Sequence, residues 1–390
     1  MQLSKIAALA IIATGVTQAE NYVSVEYLQY DENDNRVSVM APSLTASYDI
    51  GTDYNIKADF VHDSVSGATP SYLPDGASGA SSRVTNSTDF IYGKQAFNEE
   101  RNAGSLVITK RFANRDELIV GGDYSRESDF DAKTVSLEYM HYLNASHNTS
   151  LNLGASYGFN EILSFTNSST TTRNRRDDDR FEREDDYDTS SGASRKETST
   201  SLNVQAGITQ ILSPTSSMKV AGFAIMDEGY LTNPHAFVVR DYSTAPKLVG
   251  ENRPDTRRAY GVDLKYITLL GERMSYQVGY RYYTDDWKIN SHTIENDLYY
   301  KLGKRVTLGA GLRYYTQTEA SFYNGAKDYF TNEEFASSDE RLSSFDALTY
   351  KANLDFKQND KISYNIGGEF YSQSTGLDAT LITVGAKFRF

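Results

Sequence analysis

The segment ATLITVGAKFRF, residues 379–390, places Ile382, Val384, Ala386, Phe388 and Phe390 at every second position, with Thr383, Gly385, Lys387 and Arg389 between them. A period of two belongs to a β-strand, whose successive side chains point to opposite faces. The pattern recurs through the chain. Tyr276, Val278, Tyr280 and Tyr282 oppose Gln277, Gly279, Arg281, Tyr283 and Asp285, while Val306, Leu308, Ala310, Leu312 and Tyr314 oppose Thr307, Gly309, Gly311, Arg313 and Tyr315. Sixteen segments carry the alternation: 22–30, 36–50, 53–64, 101–112, 116–127, 132–143, 149–162, 196–212, 216–231, 256–270, 273–287, 291–302, 305–320, 344–357, 360–373 and 378–390. No helical period of useful length interrupts them.

The connections alternate in length. Short turns fall at 51–53, 113–116, 144–148, 213–215, 271–273, 303–304 and 358–360, while the long connections, 65–100, 163–195, 232–255 and 321–343, all belong to the other set. An antiparallel sheet with this spacing carries its long loops at one end and its tight turns at the other. A single sheet cannot bury its apolar face on itself, and no helices are present to cover it. In a bilayer the backbone is satisfied by closing the sheet, so that the apolar face meets lipid and the polar face lines a lumen. The expected fold is therefore all-β: a transmembrane antiparallel up-and-down β-barrel of about 16 strands, with both termini on the short-turn side.

Composition agrees with an inverted protein of this kind. The mean hydropathy is −0.53, too polar for helical spans, yet the 390 residues include 29 tyrosines, whose amphipathic rings suit the headgroup boundary. The absence of cysteine removes disulfides, thiolate nucleophiles and Cys-ligated metal sites. A formal charge of −13 argues against nucleic acid as a partner. At the N-terminus, Lys5, the apolar run 6–13 and the small residues Thr17 and Ala19 have the layout of a secretory signal. The expected organisation is a signal peptide over 1–19 and one barrel domain over 20–390.

The last eight residues, Thr383 to Phe390, resemble the C-terminal signal by which bacterial outer-membrane barrels are recognised for assembly, with Gly385, Phe388 and the terminal Phe390 at the matching positions. Longer strings, HDSVSGATP (62–70), GYLTNPHAFV (229–238), ENRPDTRRAY (251–260), YRYYTDDWKINSHTIE (280–295), LRYYTQTEASFY (312–323) and ASSDERLSSFDALTY (336–350), are together similar to an uncharacterised family of bacterial outer-membrane barrels, a domain of unknown function. The resemblance implies a Gram-negative-type outer membrane. It also implies contact with membrane lipid, lipopolysaccharide and the barrel assembly machinery. It carries no activity, ligand or cofactor.

Candidate functional residues come first from the lumen parity. They include Lys57, Asp59, Asp123, Glu138, Asp263, Lys265, Arg281, Tyr283, Asp285, Glu295, Asp297, Lys301, Arg313, Gln317, Glu319, Lys351, Asp355 and Glu369. Of these, Arg281, Tyr283, Asp285, Arg313, Gln317, Glu319, Lys351, Asp355 and Glu369 are the candidates for solute selection, because rings of charge orient solutes in a pore. A salt-bridged wall is the plainer reading of the same residues. Asp285, Ser291 and His292 hold hydrolytic groups close in sequence. The motif Ser66, Gly67, Ala68, Thr69 and Pro70 reads as a rigid turn opening a long loop. Asp177–Asp179 and Asp185–Asp186, within the mixed-charge run 173–188, and the DENDN string at 31–35 have the oxygen ligands for divalent cations. The five histidines, His62, His141, His147, His235 and His292, show no paired metal spacing. The expected function is passive or facilitated passage of small solutes or ions, without cofactor or metal and with a homo-oligomer open. The alternatives are a loop-plugged barrel that docks an exported partner and, third, an outer-membrane hydrolase.

Overall fold

The computed structural model describes residues 21–74, 90–166, 193–241, 246–325, 329 and 332–390. The expected signal peptide and the 173–188 run lie outside the described residues. The strands are β1 (Tyr22–Glu32), β2 (Val37–Ile50), β3 (Tyr54–Pro74), β4 (Phe90–Arg111), β5 (Glu117–Arg126), β6 (Phe130–Tyr142), β7 (Thr149–Thr166), β8 (Ala193–Ser213), β9 (Ser216–Gly229), β10 (Phe237–Arg240), β11 (Lys247–Gly250), β12 (Thr256–Leu270), β13 (Met274–Asp285), β14 (Asn290–Leu302), β15 (Val306–Gln317), β16 (Phe345–Lys357), β17 (Ile362–Gln373) and β18 (Asp378–Arg389). Sixteen of them form one closed antiparallel barrel, and β10 and β11 form a separate hairpin. Closure is by β1 on β18, in register from Tyr22 opposite Arg389 to Glu32 opposite Ala379.

Alternation sets which face meets which solvent. On β18, Ile382, Val384 and Phe388 point outward, Val384 with 49 % and Phe388 with 47 % of its surface exposed. About fifty large apolar or tyrosine side chains among the described residues are exposed in this way, far more than a water-soluble surface carries. Each would gain about 1.5–3 kcal/mol on leaving water. A belt of this size requires a hydrocarbon surrounding, and a closed sheet is the form that leaves no strand edge unpaired there. Gly385 faces inward instead, and a Cβ on it would run into the side chain of Asn365 on β17. Gly271 and Gly303 sit in short turns at φ 75° and 79°, the left-handed region where other residues are strained.

The strands differ in reach. β5 has 10 residues, about the length that crosses a bilayer as a tilted strand. β3 and β4 have 21 and 22 and project beyond the belt at the long-loop end. The sequence reading placed 65–100 in a loop. Instead the β3–β4 ladder continues to the Pro74–Phe90 rung, with Gly67 opposite Phe97 and Pro70 opposite Lys94. Ser66 to Pro70 are therefore extended strand, not an irregular turn. Pro70 lies past the last β2–β3 rung, Val37–Gly67, where no β2 residue remains to receive the N–H it lacks.

Candidate functional site

Two of the expected long loops are folded into a cap over the long-loop mouth. Residues 230–255 contain the β10–β11 hairpin, and residues 318–344 run beside it. Isolated bridges join them at Arg240–Tyr329 and Asn252–Ala336. Their interior is dry: Val238 and Leu248 have no exposed surface, and Val239, Ala336 and Tyr329 are buried with them. The Tyr329 hydroxyl lies within hydrogen-bond reach of the carbonyls of Phe322 (2.8 Å) and Ser337 (2.6 Å), its one proton going to either. The largest fully buried apolar side chains of the described residues thus lie in the cap and not inside the barrel wall. That is the expected consequence of a wall with lipid on one face and a polar lumen on the other.

An ionic core fastens the two cap segments together. Glu251, with its side chain shielded from water, forms an ion pair with Arg253 (2.5 Å) and accepts from Asn233 N–H (2.8 Å) and Ser337 Oγ (2.5 Å). Arg253 reaches on to Asp339 at 2.7 Å, and Asp339 also pairs with Arg341. Burial opposes ionisation of Asp339, but Arg341 and Arg253 outweigh it and hold its carboxyl well below the usual carboxylate range.

The cap is tied to the rim at three turns. Arg36, in the β1–β2 turn, bonds Glu340 at 2.7 Å. Asp129, in the β5–β6 turn, bonds His235 Nε2 at 2.6 Å. Trp287, in the β13–β14 turn, packs with Ile289 against Leu231, Ala320, Phe322 and Leu342 of the cap. In the order of strands around the barrel these turns are four, six and six strands apart, so the cap is held from all sides of the mouth.

Beneath it lies a cavity of about 1090 Å³, walled by the polar faces of β5–β9 and β12–β15 and roofed by Leu231, Trp287, Ile289 and Leu342. Arg281, Tyr283, Arg313 and Gln317 line it, as the lumen parity predicts. Their charges are committed to neighbours. Arg281 forks onto Asp263 at 2.6 and 3.0 Å, and Glu295 receives both Arg313 and Lys351 at 3.4 Å. Glu369 faces Lys351 across a β16–β17 rung, and Asp355 lies near the short-turn end, opposite Thr307. Gln317 donates to the carbonyls of Arg341 (3.0 Å) and Ser343 (2.5 Å), so it belongs to the cap's footing as well as to the wall.

Three sequence expectations are corrected here. Asp285 does not face lumen water: its side chain has no exposed surface and accepts from Arg257 (2.7 and 2.9 Å), the Tyr283 hydroxyl (2.8 Å) and Ile289 N–H (2.9 Å). These bonds close the β13–β14 turn and stop β13 at Asp285, short of the expected residue 287. Glu319 is not on the wall, because β15 ends at Gln317 and Glu319 is exposed in the cap segment. Ser291 and His292 do not form a hydrolytic group with Asp285. Ser291 lines the cavity, whereas His292 points outward and bonds the Tyr280 hydroxyl at 2.8 Å. Strand parity puts consecutive residues on opposite faces.

The DENDN string also has internal work. Asp31 accepts from Gln29 and Ser38, and Asn33 bonds Gly376 O and Asp378 N–H, joining the β1–β2 and β17–β18 turns. At the short-turn end of the barrel, Phe388 stacks on Phe390 with 6.3 Å between ring centres, both facing outward.

Sequence reasoning did not single out Glu99, Asp129, Glu251, Arg253, Arg257 or Asp339. Two of the distinctive strings already held Glu251, Arg253, Arg257 and Asp339. All six strings reach the long-loop end, in the cap, the β13–β14 turn that seats it, the strand ends beside it and β3. The grouping of Glu99, Asp129 and His235 had no local signal, since the three are far apart in the chain. Their ligating atoms lie within 4.8 Å of one another. Glu127, one residue past β5, lines the same corner. Burial, together with the nearby Glu99 and Asp129 carboxylates, pushes it up to about 7.

The sequence profile of a family described as "Protein of unknown function (DUF3570)" matches residues 2–386. No curated protein matches. Among solved structures, the siderophore receptor PirA from Acinetobacter baumannii superposes with a TM-score of 0.45 at 11 % identity, over 92 % of this chain and 54 % of the receptor. The CymD monoaromatic hydrocarbon channel gives 0.43 at 8 %, over 96 % and 89 %. OccK1 (OpdK) from Pseudomonas aeruginosa gives 0.42 at 8 %, over 95 % and 98 %. The chain spans about half the length of the siderophore receptor it matches.

Proposed function

The chain belongs to this DUF3570 family, and from its geometry we propose that it is a porin-like channel of a Gram-negative-type outer membrane, passing small hydrophilic solutes through a capped lumen. The observation that carries the reading is the cavity of about 1090 Å³ into which the wall strands turn charged and polar side chains, Arg281, Asp263, Glu295 and Arg313 among them, beneath a cap seated on three turns. A wall whose inward Arg and Asp or Glu are paired across strands is hydrated without a single-sign field, which suits small polar solutes of either charge more than one selected ion. Export by residues 1–19 and assembly through the C-terminal Gly385, Phe388 and Phe390 belong to the same reading.

Purified protein in planar bilayers should give discrete conductance steps, and proteoliposomes should take up small sugars or amino acids. Absence of both would refute the channel. The apolar core of the cap favours a second reading, a plugged barrel that presents the cap to an exported partner. Excising 232–250 separates the two. A channel gains conductance when its cap is removed, whereas a docking barrel loses partner binding and gains no conductance.

A further inference from the structure

The three footings of the cap differ in kind: a half-buried ion pair at Arg36, an apolar seat at Trp287, and at the β5–β6 turn a set of metal-ligating groups. We propose that His235, Asp129 and Glu99 form a binding site for a divalent first-row transition ion of the Zn²⁺ type, which latches the cap to the barrel wall. The three come from different segments: Glu99 from β4, Asp129 from the β5–β6 turn and His235 from the cap.

The geometry is close to what an ion needs. One ligating atom from each residue lies within 4.8 Å of the other two. A tetrahedral ion with donors at about 2.0–2.2 Å holds them roughly 3.3–3.6 Å apart. Rotation of the two carboxylates covers the remaining distance. His235 Nε2 and Asp129 Oδ2 lie in hydrogen-bond contact at 2.6 Å, and an ion would take the place of that bond. The imidazole is also held ready. The backbone N–H of His235 bonds Asn233 Oδ1 at 3.0 Å, and Asn233 N–H bonds Glu251 Oε1 at 2.8 Å, so the ring is presented from the cap's ionic core. All three ligands are half-buried, and Asp129 and His235 line the cavity, which leaves room for water to complete the coordination.

Charge and donor type point the same way. Glu99 is not needed for a His–Asp hydrogen bond, yet it brings a second carboxylate to the pair, and Glu127 brings a third to the same corner. Arg101, the nearby cation on β4, is bonded to Asp63 at 2.5 Å. A cation placed among the carboxylates relieves their mutual repulsion. One imidazole with two carboxylates favours zinc-type ions over Ca²⁺ and Mg²⁺, which prefer all-oxygen shells.

The site stands or falls by binding, whether or not the barrel conducts, so it does not rest on the channel reading. The test uses tag-free full-length protein in detergent, stripped with chelator and titrated with ZnCl₂ by calorimetry, with CaCl₂ in parallel. One zinc per chain is expected, bound at least tenfold more tightly than calcium. His235→Gln and Glu99→Gln should each weaken zinc at least tenfold. Glu99→Gln leaves the His235–Asp129 hydrogen bond in place, so its zinc-free cap should resist protease as the wild type does. Zinc should slow cap cleavage in the wild type but in neither variant. Failure of the wild type to bind zinc at 100 μM, wild-type zinc affinity in either variant, or calcium binding as tight as zinc would each overturn the proposal.

Discussion

Trp287→Ala removes the side chain on which the cap is seated, and its effect can be sized from the contacts. Trp287 is 5 % exposed, meets Phe322 edge-on with ring centres 5.1 Å apart, and donates Nε1–H to Thr256 O at 2.9 Å. The Arg257 guanidinium lies 4.7 Å from its ring. Truncating a buried Trp to Ala costs about 3–5 kcal/mol. Its partners divide between the cap (Leu231, Ala320, Phe322, Leu342) and the barrel (Ile289, Thr256, Arg257). Taking half of the loss as cap docking gives roughly 1.5–2.5 kcal/mol, a ten- to sixtyfold rise in the undocked population. Cleavage of a transiently opened segment follows that population when reclosing is fast. Proteinase K should therefore cut the variant within 230–255 or 318–344 ten to sixty times faster than wild type, with the barrel fragment intact. Single-channel records should show larger or noisier open levels. Trp287→Phe, which keeps a ring but loses the Thr256 bond, should rise less than tenfold. Cleavage and conductance within twofold of wild type in a folded Trp287→Ala protein would refute the seating role.

The ionic core should be worth more than the rim. Arg253→Ala leaves the shielded Glu251 and Asp339 carboxylates without that partner, a loss of about 3–5 kcal/mol, whereas Glu340→Ala, at the more exposed Arg36 pair, should cost under about 1 kcal/mol. The protease assay ranks them. At the short-turn end, burial opposes ionisation of Asp116. Hydrogen bonds from Tyr139, His141, Tyr142 N–H and Asn114 outweigh it and lower its carboxyl to about 2. A depressed carboxylate adds stability that is complete above an unfolded value of about 4 and is lost as pH falls through about 2. The wild-type Tm should fall over that window, and Asp116→Asn should have a lower Tm at pH 6 and a flatter profile below pH 4. Arg281→Ala leaves Asp263 without its fork, and the reversal potential in a salt gradient should move toward cation preference. Phe390→Ala should lower the yield of assembled barrel in cell membranes, read as the folded band on unheated gels.

How far the barrel was legible can be argued from single residues. Val384 and Phe388 on one parity and Thr383 and Gly385 on the other already decide which side of β18 meets lipid, because a strand has only two faces. The alternation of short and long connections then places both termini and every long loop. Arg281 and Arg313 were legible as lumen residues on the same ground. Parity fails at strand ends. Asp285 has lumen parity, but it is the last residue of β13, and the turn that follows folds back to bury its carboxylate against Arg257. Glu319 has the parity of a strand that has already ended. Pro70 read as a turn because nothing local shows that β2 begins only at Val37 and leaves that side of β3 without a β2 partner beyond Gly67.

The cap was illegible for a different reason. FVVR and KLVG are four-residue strands, too short for a period to register, and their burial depends on Tyr329 and Ala336 about ninety residues away. The sequence by itself determined the membrane-facing belt, the closed sheet and the end at which the long loops gather, since each follows from a period or a spacing along the chain. Tertiary structure alone decided what stands at that end. It folded two loops into a dry-cored cap, buried Asp285 and brought Glu99, Asp129 and His235 to one corner, because these depend on which segments meet in space and not on the pattern within any one of them.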